Sequence, residues 1–186
     1  MGTAPSEDYA PIAHAWDFSE SKVVAGLGGG GSLILAVLAL NYHLRGMLVD
    51  REASVDVAKS RFADENLSSR CELFAADLTQ SVPAGADVYM LKHVLHRYRD
   101  ADAVTVLKNC RAVIPQNGAL LVIEFVLPPL VSQTDPQLEG RLMSDLNMLA
   151  VTGGRERSER EWRTLLEAAG FTLTRVYPVG GDTLMV

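Results

Sequence analysis

Four consecutive glycines, Gly28 to Gly31, separate the apolar run Val23–Leu27 from a second apolar run that opens at Leu33, and 22 positions after Gly28 comes Asp50. A short β-run, a turn that lets the backbone approach a ligand and a helix whose first N–H groups face that ligand form a nucleotide-binding turn. Met47-Leu-Val-Asp50 then reads as a second strand ending in a carboxylate, about 20 residues on, where an acidic side chain accepts both hydroxyls of a ribose. Two other readings compete. A flexible glycine linker does not sit between Val-Val and Leu-Ile-Leu-Ala-Val-Leu-Ala-Leu. A membrane span has more in its favour, because residues 23 to 40 are 18 uncharged residues in a row, close to the roughly 20 that cross a bilayer. Four glycines would weaken such a helix, however, and only Tyr42 marks an interface at its flank.

Strand-like and helix-like runs alternate through the rest of the chain. Strands are expected at Val23–Leu27, Gly46–Val49, Cys71–Ala75, Asp87–Leu91, Ala119–Val126, Phe171–Tyr177 and Thr183–Val186. Helices are expected at Leu33–Tyr42, Ala53–Asn66, Ala101–Val113, Pro136–Val151 and Glu159–Ala169, after a polar start and a short edge helix over Tyr9–Trp16. This alternation predicts an α/β fold, a mostly parallel sheet with helices on both faces. Gly170-Phe171 stops a helix before the next strand. The expected division is an N-terminal segment over 1–20 and one ligand-binding domain over 21–186.

With 186 residues, 48% of them hydrophobic, the chain can bury a substantial core as one domain. A formal charge of −6 argues against nucleic-acid and anionic-membrane partners and leaves a small molecule as the substrate. Cys71 and Cys110 fit no metal spacing, so no metal is expected there, and they read as buried thiols of a reducing cytoplasm.

Ligands of such sheets lie beyond the carboxyl ends of the strands. Gly28, Asp50, Asp77, Lys92 and Glu124 all fall at or just after such ends. Asp77 either accepts from an adenine amino group, with Leu78 covering the ring, or caps the turn before Val82-Pro83.

Leu91-Lys-His-Val-Leu-His-Arg-Tyr-Arg-Asp100, Val122-Ile-Glu-Phe-Val-Leu-Pro-Pro129 and Asp145-Leu-Asn-Met-Leu-Ala-Val-Thr-Gly-Gly-Arg-Glu-Arg-Ser158 follow one another in the chain. In that order and near that spacing they resemble the S-adenosylmethionine-dependent O-methyltransferases, above all the plant caffeate/hydroxyindole and bacterial aromatic-polyketide branch. The resemblance runs from Tyr9 onward and implies a Rossmann-like class I methyltransferase fold with a seven-stranded sheet. It implies S-adenosyl-L-methionine as cofactor and a small aromatic acceptor methylated on a hydroxyl. Carried over, it makes Gly28, Gly29 and Gly30 the cofactor loop, Asp50 the ribose ligand, Asp77 and Leu78 the adenine contacts and Lys92 a polar contact on the cofactor side. His96 becomes the general base, Glu124 and Glu156 the acids that orient it, and Met148 a wall of the acceptor pocket.

On the residues alone, His96 equally fits a cap of the helix that begins near Asp100, and Glu156 a cap of the helix after it. A carboxylate such as Glu124 is expected on the ring nitrogen of His96 away from the substrate. His93 is expected to point elsewhere on extended backbone, while His14 and His43 have no acidic partner in any motif. The chain departs from the family at Gly26, where an Asp is usual, and at Ser32, where a Gly is usual. Restoring Asp at 26 is expected to tighten cofactor binding, and Ser32 to crowd the loop. The family's N-terminal helical dimerisation domain is expected to be absent. An apolar surface over Tyr9–Trp16 and Met143–Met148 is then expected to meet a second copy or a separate helical partner. Competing functions are a relative that holds the cofactor as a fixed charge for decarboxylation or hydroxylation, and a non-catalytic binding domain.

Overall fold

A computed structural model describes residues 9–128, 138–179 and 181–186. Met1 to Asp8, Pro129 of the second motif, and Pro136 and Gln137 at the expected start of a helix lie outside them. The chain runs α1 (Ala10–His14), β1 (Val23–Leu27), α2 (Ser32–Leu40), β2 (Arg45–Asp50), α3 (Glu52–Asp64), β3 (Cys71–Ala75) and β4 (Val88–Lys92). It continues through α4 (Asp100–Val113), β5 (Ala119–Glu124), β6 (Val126–Leu127), α5 (Leu138–Val151), β7 (Arg157–Ser158), α6 (Glu159–Ala168), β8 (Val176–Val179) and β9 (Asp182–Met185).

Seven strands form one sheet in the order β3-β2-β1-β4-β5-β9-β8. The first five are parallel, and β9 enters antiparallel beside β5. Strand order reverses between β1 and β4, which opens a crevice at their carboxyl ends. Apolar clusters cover both faces, one under α4 and α6 and one under α1 and α2. The fold expected from the sequence is therefore present.

The glycine run is a strand–turn–helix, not a span. Gly28 to Gly31 all have φ between 68° and 80°, a region that L side chains avoid, and a 3-10 turn over Gly29–Gly31 hands the chain to α2. Among the described residues no helix is long and apolar enough to cross a membrane.

Most expected boundaries hold within two residues, and others move further or change partner. The strand expected over Ala119–Val126 breaks at Phe125, and β6 leaves the main sheet to pair in parallel with β7. The strand expected over Phe171–Tyr177 starts only at Val176, because ladder pairing there depends on β9, whose Met185 faces Val176. Phe171 instead packs beside α4, under the Arg111 guanidinium. The helix expected to reach Tyr42 ends at Leu40, where Asn41 leaves helical geometry.

Gly26 sits on buried β1, and a Cβ there would lie 3.1 Å from Ile34 Cβ and 3.3 Å from its Cγ2. Ile34 of α2 thus packs against the face of Gly26 from which an Asp side chain would start, so that substitution carries a packing cost besides any added cofactor contact. Gly26→Asp is expected to lower the unfolding free energy by about 1–3 kcal/mol through overpacking and a buried carboxylate. Urea denaturation checks this, and an unchanged midpoint would contradict it.

Candidate active site

The ends of β1, β2 and β3 and the segment after β4 enclose a cleft of about 690 Å3 lined by Gly28, Gly29, Gly30, Asp50, Asp77 and Leu78. Arg51, Val94, Tyr98 and Thr152 complete much of its wall. Asp50 Oδ2 accepts from Gly30 N at 3.0 Å and Oδ1 from Arg51 N at 2.7 Å. From the opposite side Arg61 donates to Gly30 O at 3.1 Å and to Ser32 Oγ at 3.0 Å. The hydroxyl of Ser32 is therefore tied down by Arg61 and does not crowd the loop. Sequence reading missed Arg61, which no motif contains.

Asp77 holds its turn and also faces the cleft. It lines the cleft, and its Oδ1 accepts from Thr79 N at 2.9 Å and Thr79 Oγ1 at 2.8 Å. Those two bonds hold its carboxyl below the usual carboxylate range. Lys92 ends β4 on a smaller cavity of about 110 Å3 with Tyr9, Gly26, Gly28, Gly29 and His93. Its Nζ lies 5.2 Å from the Tyr9 ring centre.

His96 stands on a 3-10 turn, Leu95–Arg97, immediately after the cleft wall. Glu124 and Glu156 are buried beside it. Glu156 Oε1 lies 2.8 Å from His96 Nδ1, and Glu124 Oε2 lies 3.5 Å from the same atom. The close partner is thus Glu156, a correction to the expectation that Glu124 takes this place. Glu124 Oε1 is occupied by the backbone, accepting from Val94 N at 3.0 Å, Leu95 N at 2.8 Å and His96 N at 3.4 Å. An ionised carboxylate only accepts, so Nδ1 donates to Glu156 and Nε2 is left as the proton acceptor. The three side chains have ligand-type atoms within 4.8 Å of one another. The Nδ1 hydrogen bond and the backbone bonds to Glu124 account for that closeness.

Neither capping alternative survives. The helix after His96 has Arg99 at its N-cap, while the His96 carbonyl accepts from Arg155 N at 2.8 Å. At α6 the N-terminus is closed by Glu161, whose Oε2 accepts from Ser158 N and Oγ.

His93 contradicts its expected orientation. Its φ is +52°, a left-handed conformation in a non-glycine residue that marks local strain. The ring consequently stacks on His96 with centres 5.5 Å apart and lies 4.8 Å from Phe125. His43 is remote, bonded to Phe18 O.

Three further residues of the site were given no role from the sequence. Ser144 Oγ donates to Glu156 Oε1 at 2.7 Å, and Asp145 Oδ1 accepts from Glu156 N at 2.8 Å. A Cβ at Gly154 would run into the His96 carbonyl oxygen, so only glycine lets this loop lie against the turn. The Gly153-Gly154 pair was the signal available. Met148 is half-buried on α5, one turn from Ser144 on the same face.

Burial opposes charge on His96, but the hydrogen bond it donates to Glu156 and the fields of Glu124 and Glu156 outweigh it and raise its pKa above the ordinary imidazole value. Burial pushes the Glu124 carboxyl up, against the pull of His96. A histidine with a raised folded pKa stabilises the fold fully below its unfolded value, about 6.5, and loses that contribution as pH rises through the folded pKa. The stability gap between wild type and His96→Gln is therefore expected to be wider near pH 6 than near pH 9 in paired urea titrations. A gap that stays constant, or widens with pH, would contradict this.

Comparison with known proteins places the chain in a family. The model of a family described as the O-methyltransferase domain matches residues 9–172. The mitomycin biosynthesis 6-O-methyltransferase of Streptomyces lavendulae is 34% identical over 187 aligned residues, covering 100% of this chain and 52% of the relative. The aclacinomycin 10-hydroxylase of Streptomyces purpurascens is 35% identical over 182 residues, covering 95% of this chain and 46% of the relative. Among solved structures, an O-methyltransferase from neocarzinostatin biosynthesis, in complex with S-adenosylmethionine and 2-hydroxy-5-methyl naphthoic acid, superimposes with a TM-score of 0.85 at 31% identity. That match covers 96% of this chain and 52% of that one. The chain spans about half the length of the relatives it matches. With the family model matched over most of its length, this chain belongs to the O-methyltransferase domain family.

Proposed function

We propose that residues 21–186 form the S-adenosylmethionine-binding catalytic domain of an O-methyltransferase acting on a hydroxyl of a small aromatic acceptor. The observation that carries this reading is the buried His96–Glu156 pair, with Glu124 behind it, set beside a cleft that ends in Asp50. The residues suit the cofactor. Asp50 would hold the ribose, Asp77 and Leu78 would meet the adenine, and Gly28 to Gly30 would let the backbone approach closely. Lys92 stands on the smaller cavity across the glycine turn.

When bound, S-adenosylmethionine supplies an electrophilic sulfonium methyl group. The protein aligns the acceptor oxygen with that methyl for in-line displacement. His96 Nε2 takes the hydroxyl proton, and Glu156 at Nδ1 stabilises the imidazolium. A phenol near pKa 10 and an unperturbed imidazole near 6.5 differ by about 3.5 units, and the raised His96 narrows that difference. In this reading Met148 and His93 would contribute to the acceptor pocket.

The 10-hydroxylase relative motivates a second reading, in which the bound cofactor acts as a fixed charge and no methyl is consumed. The His96–Glu156 pair favours the first. Exposed Leu142, Met143, Leu146 and Leu149 form an apolar stripe on α5, which supports a contact with a second copy or a separate helical partner. Tyr9–Trp16 does not extend it, because Ile12 and Ala13 are buried. The free thiols of Cys71 and Cys110, both buried, fit a reducing cytoplasm.

Calorimetry with S-adenosylhomocysteine and a radiolabelled methyl-transfer assay test the proposal together. Asp50→Ala is expected to weaken binding by about 1.5–3 kcal/mol, the scale of hydrogen bonds to a charged group. His96→Gln is expected to bind as wild type and to lose about 10²- to 10⁴-fold in rate, the usual worth of a general base. Full turnover by His96→Gln would overturn the base, and acceptor conversion without loss of the methyl would install the second reading.

A further inference from the structure

Arg157 is a fully buried cation, and a charge in such a place persists only where its donors are all met. Here they are. Nε donates to Asp100 Oδ1 at 3.0 Å, Nη1 to Leu95 O at 3.2 Å and Arg155 O at 3.3 Å, and Nη2 to Tyr98 O at 2.9 Å and Asp100 Oδ1 at 2.8 Å. That uses all five N–H groups of a guanidinium, whose fork is planar and rigid. The Trp162 ring backs the plane, 5.0 Å away.

The acceptors are not scattered. Leu95 and Tyr98 bracket the turn that carries His96, and Arg155 immediately precedes Glu156. One rigid plane therefore spans both the turn bearing the imidazole and the segment bearing its carboxylate. We propose that Arg157 is a positioning residue for methyl transfer, whose guanidinium fixes the distance between His96 and Glu156 while touching neither cofactor nor acceptor. This rests on the reading of His96 as the base. Lysine cannot substitute, since an ammonium offers three donors from one point and cannot reach four acceptors spread around a plane.

The test reads the His96 ring directly. Arg157→Lys and Asp100→Asn are compared with wild type by NMR titration of the imidazole and by calorimetry with S-adenosylhomocysteine. Asp100 is half-exposed, with a side chain 53% accessible, so its Asn variant loosens the guanidinium without leaving a buried cavity and decides the matter if Arg157→Lys does not fold. Arg157→Lys is expected to lower the His96 titration point by about one pH unit, the scale of part of a charged hydrogen bond. Asp100→Asn moves it the same way by less, and S-adenosylhomocysteine affinity stays unchanged in both. A purely structural Arg157 would leave the titration of the folded variants where it is in wild type, and that result overturns the proposal. Failure of the base reading is seen separately, as full methyl transfer by His96→Gln, and leaves the titration result readable.

Discussion

Glu124 ends β5 with a carboxylate oxygen that three successive backbone N–H groups share, those of Val94, Leu95 and His96. Burying this group completely costs on the order of several kcal/mol of lost hydration unless hydrogen bonds replace the water. The three donors do so at one oxygen, and in doing so they bend the chain sharply after β4. That bend creates the turn on which His96 stands. Without it β4 would run on, and the imidazole would have no fixed place at the crevice.

The same strand end delivers the second acid. Phe125 breaks β5, and the two residues after it pair with Arg157 and Ser158 across a parallel bridge. Glu156 therefore arrives beside Glu124 because β6 and β7 lie side by side, although 32 positions separate them. Ser144 and Asp145 of α5 then fix the Glu156 side chain and backbone. At the other end of the crevice the glycine turn is held in a comparable way, with Gly30 gripped at its N–H by Asp50 and at its carbonyl by Arg61. At both ends a side chain anchored on one element grips backbone groups of another, which ties the two elements together.

The layered fold was legible because parallel strands buried on both faces leave continuous apolar runs, as in Val23–Leu27 and Ala119–Glu124. The cleft was legible because its turn runs through four glycines with positive φ and its second strand ends in Asp50. The partner of His96 was not. Whether Glu124 or Glu156 meets Nδ1 depends on how β6 pairs with β7, a contact that leaves two residues of pattern on each side. The direction of His93 depends on a φ of +52°, which no side-chain pattern announces. Ile34 packing against Gly26, and Arg61 taking up Ser32, are contacts between elements that only packing reveals. The misses at Glu156, Gly26 and Ser32 are thus questions of tertiary pairing, and the one at His93 of local backbone conformation.

The claim that one carboxylate oxygen shapes the turn is tested most directly by amide hydrogen exchange at Val94 and Leu95. The account predicts that both exchange slowly in wild type, although neither belongs to a strand. In Glu124→Gln, a neutral acceptor in place of a charged one weakens these bonds by about 1 kcal/mol, and both amides exchange several-fold faster while those of β1 and β4 keep their protection. Rapid exchange of Val94 and Leu95 in wild type, or rates unaffected by Glu124→Gln, would contradict it.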